Sequence, residues 1–89
     1  MAKSWEATVQ RLSRSIRDRR LHLNLSQADL ARLAGVSYRR VQQIEAGEAV
    51  NPSLRVIYRL SKALQTEIVD LLRPVQDRAT RKRAPKKSD

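Results

Sequence analysis

The chain has 89 residues, 19 lysines and arginines against 9 aspartates and glutamates, a net charge of +10 and 40% hydrophobic residues. A length like this fits one small domain that buries only ~60–65% of its unfolded surface, which excludes large catalytic architectures and makes association with a second copy a natural source of stability. The absence of cysteine and a single histidine, His22, exclude a disulfide framework, a thiol nucleophile and a Cys/His metal site, and no cofactor is expected. No nucleophile–base arrangement is visible either, so no enzymatic role is expected. Met1 to Glu6 lacks the apolar stretch of a signal peptide, and no window approaches the ~18 apolar residues of a membrane span, which points to a cytoplasmic protein with no membrane partner. Arginine supplies 14 of the 19 basic residues. Its planar guanidinium suits phosphate and guanine, so the expected partner is an anion.

The chain reads as all-helical, with its glycines and prolines falling between periodic segments. From Ser4, a candidate N-cap, the apolar set Trp5, Val9, Leu12 and Ile16 recurs at +4, +7 and +11, one face of an amphipathic helix running to about Leu23. Asn24 stands where a left-handed residue ends a helix. Ser26-Gln27-Ala28-Asp29 is a capping-box variant opening a helix whose apolar face is Leu30, Ala31, Leu33 and Ala34, and Gly35 stops it. Ser37 caps the next, Tyr38 to Glu45, with Val41 and Ile44 turned inward and Gly47 just past its end. After a loop from Glu48 to Pro52, Ser53 caps a helix carrying Leu54, Ile57, Leu60 and Leu64. Thr66 is the candidate cap of a last helix carrying Ile68, Val69, Leu71 and Leu72.

Pro74 closes the folded part. Residues 73–89 hold seven basic side chains and two acidic ones, with little apolar content after Val75, the composition of a disordered basic tail. Residues 4–73 are therefore expected to form the domain and 74–89 the tail. Half of the net charge lies on the helical part.

Within Gln27 to Ala46 a small residue, Ala31, stands four places before Gly35, and Val41 follows that glycine by six. A small side chain lets two helices cross closely, the glycine takes the positive φ of a tight turn, and Val41 and Ile44 lock the second helix over the first. This is helix-turn-helix spacing. The stretch Leu25-Ser26-Gln27-Ala28-Asp29-Leu30-Ala31, then Gly35-Val36-Ser37, Val41, Ile44-Glu45-Ala46-Gly47 and Asn51-Pro52-Ser53-Leu54, resembles the Cro/cI repressor (Xre-type) family. The resemblance covers about Leu12 to Leu72 and implies a five-helix lambda-repressor-like DNA-binding domain. Departures are Asn24, where the family usually has glycine, and the basic tail.

The resemblance implies that the helix Ser37 to Glu45 enters the major groove of double-stranded DNA. Its base-reading places fall on Tyr38, Arg39, Gln42 and Gln43, with Arg39 the leading candidate, since a bidentate arginine on guanine discriminates by ~1–3 kcal/mol. Phosphate contacts are implied for Gln27, Ser37, Arg40, Ala46, Gly47, Asn51 and Ser53; such contacts position the protein without specifying a sequence. Arg20 and Glu45 match a family ion pair whose role is structural. His22 is assigned nothing, and Trp5 is expected to pack in the core.

A single recognition helix reads only a few base pairs, and a two-fold dimer is the standard remedy. Ile68, Val69, Leu71, Leu72 and Val75 offer more apolar surface than one helix face can bury internally, which makes the last helix the expected homodimer interface. The function that follows is a transcriptional regulator, a repressor on a palindromic operator, nucleoid-associated when bound. The alternatives are an antitoxin, with a protein toxin as partner, and a restriction-modification controller protein.

Overall fold

The computed structural model describes residues 2–48 and 51–73. Five helices follow in order: α1 (Ala2–His22), α2 (Gln27–Ala34), α3 (Tyr38–Glu45), α4 (Leu54–Ala63) and α5 (Ile68–Leu72), with no strand among the described residues. No helix there is long and apolar enough to cross a membrane.

Each helix sends apolar side chains to one core. Leu12 and Ile16 come from α1, Leu30, Ala31 and Ala34 from α2, Val41 and Ile44 from α3, Ile57 and Leu60 from α4, with Leu64 after it, and Leu71 from α5. Around that core α2 packs on α3 and α4, while α1 packs on α3 and α5. The α2–α3 pair is thereby braced from both sides, which fixes the position of α3.

Four helices stop in the same way. Asn24, Gly35, Gly47 and Gln65 have φ of 59°, 70°, 75° and 58°. In each case the following amide reaches back five residues: Leu25 to the Arg20 carbonyl, Val36 to Ala31, Glu48 to Gln43 and Thr66 to Ser61, at 2.9–3.1 Å. This closure satisfies carbonyls that a helix end would otherwise strand. The starts are equally regular for α2, α3 and α4. Hydroxyls of Ser26, Ser37 and Ser53 accept from the amides of Asp29, Arg40 and Val56, and the Asp29 carboxylate accepts in return from the Ser26 amide at 3.0 Å. These bonds, with Arg32 at 3.0 Å, hold the Asp29 carboxyl below the usual carboxylate range.

Five expectations need correction. α1 starts at Ala2, ahead of Ser4. Trp5 is not core; it is 49% exposed, because α1 begins before the bundle does and Val9 is the first of its stripe to be buried. Leu33 is 53% exposed: the buried positions of α2 are Leu30, Ala31 and Ala34, and Leu33 projects to the side of that face. Leu54, the first residue of α4, is exposed one turn short of Ile57. The N-cap of α5 is Glu67, without a side-chain hydrogen bond: its carbonyl accepts from the amides of Asp70 and Leu71, while Thr66, one residue earlier, belongs to the closure of α4. The basic tail and Val75 lie outside the described residues, as do Ala49 and Val50.

Candidate nucleic-acid interface

Helix α3 has two chemically distinct sides. Val41 and Ile44 are buried completely or nearly so, whereas Tyr38, Arg39, Arg40 and Gln42 are exposed and Gln43 is half-buried. The apolar side is held by packing, and the Ile44 carbonyl accepts a 2.6 Å hydrogen bond from the Ser13 hydroxyl of α1. No exposed side chain of α3 is needed for these attachments, so its outward row is available to a ligand.

The end of α3 is fixed by charge. Arg20 grips Glu45 with two guanidinium nitrogens, Nε to Oε2 at 2.6 Å and Nη2 to Oε1 at 2.9 Å, and its Nη1 donates to the Leu25 carbonyl at 2.8 Å. The Gln27 amide donates to the same carboxylate at 3.1 Å. The side chains of Arg20 and Glu45 are only 10% and 4% exposed. Hydrogen bonding to Glu45 raises the Arg20 pKa above the ordinary arginine value despite its burial. Donors from α1 and α2 thus converge on one carboxylate of α3, and the same Arg20 ties down the loop before α2, which sets the distance between the start of α2 and the end of α3.

The residues for which the resemblance implies phosphate contact are distributed around this scaffold. Gln27 stands at the first position of α2, its amide already shared with Glu45. Ser37 and Ser53 use their hydroxyls as caps. Arg40, Ala46 and Asn51 are exposed, and Gly47 is half-buried in a left-handed conformation. A Cβ at Gly47 would lie 2.7 Å from the Gln10 side chain, so glycine there satisfies both the turn and a close approach to α1. Of the predicted interface residues on α5, Leu71 is 2% exposed and packs inside the chain's own core, Ile68 is half-buried against that core, and Val69 and Leu72 are exposed. Leu71 is therefore committed internally.

Sequence reasoning missed two arginines. Arg55 and Arg59, one turn apart on α4, border with Arg40 an open cleft at the start of α3. Their spacing of four was legible, but only the packing of α4 on α2 brings them next to α3.

A bundle of five helices with a braced α2–α3 pair, a polar outward row on α3 and a basic surface is a helix-turn-helix DNA-binding domain. The helix-turn-helix family model matches residues 16–71. The chain belongs to the Cro/cI (Xre-type) branch of that family and is a DNA-binding transcriptional regulator. Among solved structures it is similar to the hypothetical transcription factor NHTF from Neisseria, with 29% identity, 82% of this chain and 83% of that chain covered, and a TM-score of 0.78. It is also similar to the restriction-modification controller protein C.AhdI from Aeromonas hydrophila, with 34% identity, 73% and 97% coverage, and a TM-score of 0.69. A third likeness, to hydroxypropylphosphonic acid epoxidase from S. wedmorenis, has 28% identity and a TM-score of 0.68 but covers only 35% of that chain. That match concerns a part of the epoxidase and carries none of its chemistry to this protein.

Proposed function

We propose that the protein acts as a homodimer that occupies a two-fold symmetric operator in the cytoplasm and represses transcription from it. The observation that carries this reading is the division of α3: its inner side and its end are immobilised by Val41, Ile44 and the Glu45 cluster, while its outward row is polar. A reading helix needs both properties, because base discrimination requires donors held in one register. Arg39, with Tyr38, Gln42 and Gln43, reads base edges. Gln27, Ser37, Arg40, Ala46, Gly47, Asn51 and Ser53 position the backbone. Val69 and Leu72 lead the dimer contact with Ile68, Val75 contributes to it, and the basic tail adds salt-dependent affinity. Binding alone performs this function.

Footprinting on the DNA upstream of its own gene, at physiological salt with excess competitor, tests the proposal. The expected result is a protected two-fold site one or two helical turns long. Uniform, salt-labile coverage would contradict it. A second reading is a restriction-modification controller, favoured by the 34% identity over 97% of C.AhdI. In that case the protected site lies beside a methyltransferase or endonuclease gene, and binding activates one promoter.

A further inference from the structure

The first turns of α3 and α4 border one open cleft of about 350 Å³. Ser37 and Arg40, the N-cap and third residue of α3, form one wall; Arg55 and Val56, in the first turn of α4, form the other, with Arg59 one turn further on. No acidic residue lines it. The three guanidinium groups are exposed, and none takes part in the ion pairs formed among the described residues. Arg59 makes one long bond, Nη1 to the Gly35 carbonyl at 3.4 Å, which holds it over the turn between α2 and α3.

Two further features add positive potential. Both helices begin at this cleft, and the first two amides of each have no carbonyl partner within their own helix; the third is taken by the cap hydroxyl of Ser37 or Ser53. The positive ends of two helix dipoles therefore border the same space as three arginines. Three like charges around one small cleft repel each other, and a tetrahedral oxyanion relieves the repulsion while matching the planar donors of arginine. A merely solvated basic face would not bring the cap of α3, the first turn of α4 and three arginines to the border of one cleft.

We infer that this cleft is a phosphate-binding site in which Arg40, Arg55 and Arg59 are the donors. The phosphate is either a diester of the duplex entered by α3 or a free polyphosphate; the recognition chemistry is the same. Only the first source rests on the DNA-binding reading.

The test compares the wild type with the double variant Arg55→Gln/Arg59→Gln and with a control, Arg14→Gln, an exposed position on α1. One arm measures the dependence of log K on log salt with a random-sequence duplex, so that failure to find a symmetric operator leaves it unaffected. The other measures the melting temperature with sodium tripolyphosphate at constant ionic strength. If a DNA phosphate occupies the cleft, the salt slope falls by about 1 in the double variant and stays at the wild-type value in Arg14→Gln. If the source is a free polyphosphate, tripolyphosphate raises the wild-type melting temperature and leaves the double variant unmoved. A wild-type slope in the double variant together with equal or absent tripolyphosphate responses would overturn the site, as would an equal loss of slope in Arg14→Gln. Arg55→Gln alone, whose side chain makes no hydrogen bond among the described residues, carries the same test should the double variant fold poorly.

Discussion

Helices α3 and α5 are both short and both carry two kinds of surface, yet they are attached to the bundle by different numbers of constraints. α3 has a hydroxyl cap at its start, a left-handed glycine after its end, two buried side chains and a carboxylate held by donors from α1 and α2. α5 has five residues, an N-cap without a side-chain bond and one buried side chain, Leu71. Buried side chains seat a helix on the core, and a directional polar network at its end adds a second constraint on rotation and register. The helix that must read DNA is held by both constraints. The helix proposed to meet a second copy has the packing of Leu71 without a capping side chain.

Removing the charge that anchors α3 should have the largest effect. Glu45→Ala strands Arg20 in a nearly buried site and is expected to cost about 3–5 kcal/mol in denaturant unfolding. A loss under about 1 kcal/mol would mean that Val41 and Ile44 alone hold α3. On α5 the contrast sharpens: Leu71→Ala should cost about 2–4 kcal/mol, while Val69→Ala on the same helix stays within about 0.5 kcal/mol. Equal costs would show that Leu71 is not the side chain that seats α5 on the core.

Smaller effects separate the caps. Ser37→Ala should cost about 1 kcal/mol, whereas Glu67→Ala removes no capping bond and should leave the melting temperature nearly unchanged. The smallest effect concerns acid. The Ser26 amide and hydroxyl, with Arg32, hold the Asp29 carboxyl low, so its contribution is present at neutral pH and is lost as the pH falls below about 4. Asp29→Asn should therefore be less stable than the wild type at pH 7, and the difference should shrink as the pH falls below about 4 toward the lowered folded-state value. A constant difference between the two would assign the effect to something other than the charge.

Much of this architecture was legible because its signals are local. Ser26, Ser37 and Ser53 announce helix starts through their own hydroxyls, and Asn24, Gly35 and Gly47 announce ends through residue type. Gln65 gave no such signal: it occupies the same left-handed position as Gly35, for which glutamine has no intrinsic preference. Trp5 misled for a related reason. Periodicity defines a face, yet the length of a helix that finds partners depends on the other helices, and α1 outruns them. The ion pair of Arg20 and Glu45 could be placed only through the family resemblance, since 25 residues separate the two. For Arg55 and Arg59 no such guide existed, and the cleft they form with Arg40 is a product of tertiary packing.

Sequence discrimination by DNA binding falls, in this proposal, to the outward row of the immobilised α3. The most direct measurement is the ratio of affinities for a site selected from a randomised duplex pool and for random DNA, in the wild type and in Arg39→Ala at one salt concentration. Arg39→Ala is expected to lower this ratio about tenfold or more, equivalent to ~1–3 kcal/mol, with nearly unchanged affinity for random DNA and unchanged stability. An equal loss on both duplexes would place Arg39 on a phosphate and contradict the assignment of α3 as the reading element.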